Sequence, residues 1–340
     1  MYRYRVKFSL LFLMALLING CAQKVQIKAL TPAAVSEMSH NKKVAISSFK
    51  SDIVGLSGKI ESNIASHKLN GKKYFTVVSR RDIDKVLKEQ KLQSSEFIDE
   101  KTTTRVGKMI GAEAIINGEV TTARGISDAY TQRRKHCIKY DKEKKKCVKY
   151  RYYSIRCNTT NATVSANINI VSVESSSIIH GESYTKSYEA DSCQTYRRIL
   201  SPSEALQRLS QSIAYDFVSK LTPKYIYFSV SLLDDIEFDT TSKQDKKLQN
   251  ALKYIEANRI DKAEQILTEL LDEFDGRSYV IAYDLGVVKE ASGKFDEAKN
   301  LYYLADDISN EPIEELNEAI VRIDDLISKR EEAVRQIDAN

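Results

Sequence analysis

Two hydrophobic periods meet in residues 105–120, RVGKMIGAEAIINGEV. Val106, Met109 and Ile110 recur at helical spacing and line one face of a short helix. Gly111 ends that helix, because glycine enters the left-handed C-cap conformation without a Cβ penalty. Ala114, Ile115 and Ile116 then form an apolar run that predicts a strand buried on both faces, and Gly118 breaks it. Upstream, residues 43–49 (KVAISSF) read as a first strand, and Ile53, Leu56, Ile60, Ile64 and Leu69 as an amphipathic helix. Asn70-Gly71 turns the chain into a second strand over 74–78. Ser79 can cap a further helix, with Asp82 in its first turn and Ile83, Val86 and Leu87 on its buried face.

Downstream, residues 162–173 alternate, with Val164, Ala166, Ile168 and Ile170 on one face. Residues 174–177 turn, and Ile178-Ile179 opens a returning strand, with His180 an ordinary strand-end histidine. Pro202, Ala205, Leu209, Ile213, Phe217 and Leu221 mark a closing helix. Residues 225–236 are strand-like, 237–244 form a polar linker, and the remainder is helical. There Gly286, Ala298 and Ala305 allow helices to approach closely. Ala263 and Ala298 stand 35 residues apart, near the 34-residue tetratricopeptide period, which this stretch resembles. Ile320, Ile323, Leu326 and Ile327 give residues 314–339 a face that caps the stack.

The predicted organisation is a leader (1–20), a lipidated tether (21–42) and an α/β domain (43–224). A strand and linker (225–244) and a helical domain (245–340) follow. Arg3, Arg5 and Lys7 precede an apolar run, residues 8–18, too short to span a bilayer comfortably. Ile18-Asn19-Gly20-Cys21 resembles a bacterial lipobox, which implies diacylglycerol on Cys21. Ala22 follows, not Asp, so the implied location is the outer membrane, lipid-anchored and facing the periplasm.

Charge changes the picture in one place. The 340-residue chain carries a net +5, yet residues 131–156 hold eleven Lys or Arg against two acids, a local +9. They read as the core of a basic β-hairpin, 129–160, turning over residues 141–146. Two readings stand: a solvated structural arm, or a site for an anionic partner on Arg133, Arg134, Lys135, Lys139, Lys144, Lys145, Lys146, Lys149 and Arg151. Nucleic acid is not the expected partner in a periplasm.

With Cys21 committed to lipid, Cys137, Cys147, Cys157 and Cys193 remain, an even number in an oxidising space. A turn near Lys142 sets Cys137 opposite Cys147, leaving Cys157 to bond Cys193 and tie the arm's exit to the loop after Tyr188. No CxxC spacing exists, and His136 is the only histidine adjacent to these cysteines, so no metal site is expected. No nucleophile–base pair or phosphate loop emerges either. No enzyme activity and no cofactor are expected.

The succession KVAISSF, YFTVVSRRDIDKVLKEQKL, VGKMIGAEAIINGEVTTA and NATVSANINIVSVESSSIIHGESY is similar to the CsgG/HfaB family of curli-secretion lipoproteins. The resemblance covers residues 43–222 and implies a mixed sheet with flanking helices and self-association through that core. A related fold occurs in LpoB-type activators of cell-wall synthases. Three functions follow as alternatives: a non-enzymatic scaffold for envelope export or assembly, with protein partners on the helical repeats; a tethered regulator of a periplasmic or cell-wall synthesis enzyme; or an oligomeric secretion channel. Arg133-Arg134-Lys135 and Lys144-Lys145-Lys146 cannot face lipid cheaply, so the expectation is the family core without its barrel.

Overall fold

A computed structural model describes residues 23–78, 100–193 and 198–339. In chain order the strands are β1 (Lys24–Thr31), β2 (Lys43–Ile46), β3 (Lys68–Leu69), β4 (Lys72–Lys73), β5 (Thr76–Val77), β6 (Ala114–Asp141), β7 (Lys146–Ser172), β8 (Ser177–Ser192) and β9 (Lys224–Ser231). The helices are α1 (Leu56–Ser66), α2 (Glu100–Ile110), α3 (Pro202–Val218), α4 (Ser242–Glu256), α5 (Ile260–Glu273), α6 (Tyr279–Ala291), α7 (Phe295–Ile308) and α8 (Glu314–Asp338). The chain forms two compact units. The leader, Cys21 and the helix expected from Ser79 lie outside the described residues.

The α/β unit centres on a five-stranded mixed sheet of order β5-β2-β6-β7-β8. β2 runs parallel to both β5 and β6, while β6, β7 and β8 form an antiparallel meander. Ala114, Ile115 and Ile116 are buried on both faces, as their unbroken apolar run requires. Gly111 takes φ 64° at the end of α2, the left-handed cap.

Gly118 does not break the strand; β6 passes straight through it. A Cβ there would sit 2.4 Å from the Asn167 carbonyl oxygen and 2.9 Å from the Phe49 ring. The glycine permits close approach inside a continuous strand. The helical period expected over 53–69 overruns its helix at both ends: exposed Ile53 precedes α1, and Leu69 belongs to β3. Met109 lies within α2 but on its exposed side.

Val164, Ala166, Ile168 and Ile170 are essentially inaccessible, and α3 packs against β7. Helix α3 starts where Pro202 predicts, its N-terminus closed by a reciprocal capping box between Ser201 and Glu204. It buries Ala205, Ile213 and Phe217, and the Phe217 ring meets Tyr184 edge-on with centroids 6.4 Å apart.

The second unit joins β1 and β9 to helices α4–α8. Residues 24–31 are not a free tether. They form a strand paired antiparallel with β9 along its whole length, from Lys24↔Ser231 to Thr31↔Lys224. The alternation Val25, Ile27, Ala29 explains it, since these three are buried and the residues between them are exposed. Five helices follow. A Cβ on Gly286 would meet the Tyr302 ring at 2.6 Å, so α6 and α7 touch there through the glycine. Ala263, Ala298 and Ala305 are fully buried, and Leu316, Ala319, Ile323 and Leu326 carry the inner face of α8.

Candidate interaction sites

The basic hairpin expected over 129–160 is the free end of a much longer structure. β6 spans 28 residues and β7 spans 27, with register shifts near Val120, Cys137 and Lys139. β8 leaves this ribbon at the pair Asn158↔Ser192, so from there outward only two strands remain. At about 3.3 Å per residue, the two-stranded part projects roughly 40 Å. Its turn has a local cause: the Asp141 carboxylate accepts the backbone N–H groups of Glu143 and Lys144, both at 3.0 Å, while Lys145 takes φ 46°.

Both expected disulfides are formed. Cys137 bonds Cys147 near the tip, with Cα atoms 5.9 Å apart, and Cys157 bonds Cys193 at the base, with Cα atoms 4.0 Å apart. The first is not the direct cross-strand pair that a turn near Lys142 suggests. Cys137 lies opposite Tyr150 and Cys147 opposite Tyr140, and the register shifts between them bring the sulfurs together diagonally. Cys193 follows β8 directly, because the expected loop after Tyr188 is strand as far as Ser192.

Arg133, Arg134, Lys135 and Lys139 stand on β6, Lys144 and Lys145 in the turn, and Lys146, Lys149 and Arg151 on β7. All but the half-buried Arg134 are exposed. Arg133 lies over the Tyr152 ring at 4.5 Å and Lys135 over Tyr150 at 4.7 Å. Neither face of the ribbon carries an unbroken apolar band. Arg133 and Lys135 interrupt one, and Arg134, His136 and Arg151 the other. Among the described residues no helix is long and apolar enough to cross a membrane, and no group of three His, Cys, Asp or Glu could hold a metal ion.

Two charged clusters escaped the sequence reading. On β8 the Glu182 carboxylate is ion-paired with Lys220, accepts the Tyr184 hydroxyl at 2.6 Å and lies 3.4 Å from His180. Partial burial works against its charge, but these bonds outweigh it and hold its pKa below the ordinary value. The helical unit buries Glu290 completely beneath a bidentate pair with Arg322, both N···O distances 3.0 Å, and the Tyr302 hydroxyl donates to it at 2.5 Å. The only sign in the sequence is an acid inside the apolar stretch AYDLGVVKEA.

Asp284, in that same stretch, is wholly buried. One carboxyl oxygen accepts the Leu233 N–H at 2.9 Å, and the other has no hydrogen-bond partner among the described residues. Burial drives its pKa well above the carboxylate range, against the Leu233 bond and with help from Asp234. An acid whose pKa rises on folding takes up a proton, so stability falls as pH climbs from about 3.9 to the folded pKa. Asp284→Asn keeps an acceptor for Leu233. It is expected to flatten this dependence, so that wild type loses more stability than the variant as pH rises, as read from urea unfolding across pH.

The described residues form a disulfide-stapled mixed α/β sheet carrying a basic ribbon, and a separate unit with five helices. The model of the family described as curli production assembly/transport component CsgG matches residues 21–265, and the chain belongs to that family. Among solved structures, the lipoprotein GNA1162 from Neisseria meningitidis is similar at 12% identity and a TM-score of 0.30. That likeness covers 52% of this chain and 96% of the other. No curated protein matches.

Proposed function

We propose that this protein is a lipid-anchored, non-enzymatic scaffold for export or assembly, held by Cys21 to the periplasmic face of the outer membrane and working without a cofactor. The observation that carries this reading is the family match, which begins at residue 21, the lipobox cysteine, and runs through the entire α/β unit. Family membership points to an envelope-related lipoprotein role. The helical unit supplies the partner-binding part. Its paired helices, in contact at Gly286 and Tyr302, support a tetratricopeptide-like stack whose exposed surface receives protein partners. Self-association is supported by β8, a sixteen-residue strand at the edge of the sheet among the described residues. Such an edge offers unpaired backbone groups to another copy.

The test is metabolic labelling with palmitate followed by membrane fractionation. Wild type is expected to take up label and sediment with the outer membrane, and Cys21→Ser to remain unlabelled. Label that persists in Cys21→Ser, or wild type confined to the inner membrane, contradicts the proposal.

A further inference from the structure

The free end of the β6–β7 ribbon holds its charge in an unusual way. Among the described residues, none of the eleven Lys and Arg between 131 and 156 makes an ion pair within 4.0 Å. The helical unit is different: Lys289 and Lys294 pair with Glu264, Lys299 with Asp324 and Lys329 with Asp325. On the ribbon, Lys139 stands directly opposite Lys149, a like-charge arrangement that destabilises a strand pair. A lone two-stranded hairpin is marginal in water even without such repulsion. Two disulfides, one beside that lysine pair and one at the base, hold the ribbon together against it. Covalent bonds thus keep a column of unneutralised cations extended from the sheet.

The side chains between the cations are not the small polar ones of a solvated arm. Ile138, Tyr140, Val148, Tyr150 and Tyr152 are all exposed, at 39–58%. Tyrosine combines an apolar ring with a polar tip and favours the level of lipid headgroups. Lysine and arginine stems lie along apolar surface while their charges reach outward. An acidic protein would satisfy the cations but gives no reason for exposed Ile138 and Val148. A barrel wall would need a clean apolar face, and neither face has one.

We propose that the ribbon's free end docks on a bilayer surface bearing anionic headgroups, its cations on the phosphates and its tyrosines in the interfacial layer. This is a peripheral, salt-sensitive contact, distinct from both the acyl anchor and the scaffold reading, and it stands if that reading fails.

The test is the partition of the full chain onto vesicles of zwitterionic phosphatidylcholine, with and without about 30% phosphatidylglycerol. An acyl group on Cys21 binds both, so the readout is the ratio of the two affinities. Near-surface cations each contribute on the order of 1 kcal/mol, so wild type is expected to prefer anionic vesicles by at least roughly a hundredfold at low salt. That preference is expected to collapse in high salt. The triple change Lys144→Gln, Lys145→Gln, Lys146→Gln is expected to lower the ratio about a hundredfold while leaving phosphatidylcholine binding and the circular dichroism spectrum unchanged. The matched change Lys243→Gln, Lys246→Gln, Lys253→Gln, on the exposed side of α4, is expected to leave the ratio alone. Tyr150→Ser with Tyr152→Ser, at constant charge, is expected to lower it several-fold. A wild-type ratio near one overturns the proposal. So does a ribbon variant that matches the α4 variant, or capture by polyglutamate from a chain that ignores vesicle charge.

Discussion

Replacing Arg322 by Met is expected to cost the helical unit about 3–5 kcal/mol. The reason is the carboxylate left behind. Glu290 has no solvent exposure and is held by the Arg322 guanidinium and the Tyr302 hydroxyl. Burial works against the Arg322 charge, but the Glu290 bonds outweigh it and push its pKa above the ordinary arginine value. Burial pushes the Tyr302 hydroxyl strongly upward, and Glu290 adds to that, so it stays a donor. Without Arg322, Glu290 is a buried charge with one neutral partner. Urea unfolding of wild type, Arg322→Met and the double variant Arg322→Met/Glu290→Gln at neutral pH reads the loss and its recovery. The double variant is expected to regain most of the loss. A single variant within 1 kcal/mol of wild type at neutral pH contradicts this reading of the cluster.

Phe217→Ala is expected to destabilise the α/β unit by about 3–5 kcal/mol. Phe217 is fully buried where α3 covers the sheet, edge-on to Tyr184. Tyr215, two residues earlier on the same helix, is 68% exposed. Tyr215→Ala is expected to stay within about 0.5 kcal/mol. Denaturation of the two variants side by side measures the inner against the outer face of one helix. Equal losses contradict the packing described.

The sequence disclosed the α/β core because each of its signals was local. An apolar run at 114–116, a left-handed glycine at 111 and alternation through 164–170 each identify an element without knowledge of its neighbours. The disulfide partners were legible from the position of one turn, although the register shifts that set Cys137 and Cys147 diagonally were not. What stayed hidden depends on distant partners. The alternation of residues 24–31 is plain in retrospect, but the strand that makes it meaningful, β9, lies some two hundred residues away. Gly118 reads as a break until Asn167 and Phe49 are seen to occupy the space a side chain would need. Asp284 and Glu290 look like charges on an amphipathic helix until the Leu233 N–H and the Arg322 guanidinium are seen to meet them. The nine basic site residues were visible as composition. That they make no ion pair among the described residues was not.

The most direct measurement is the mass of the chain extracted from membranes in mild detergent, by light scattering coupled to size-exclusion chromatography. A scaffold that self-associates through the edge of its sheet is expected as an oligomer that persists on dilution. A stable monomer contradicts it.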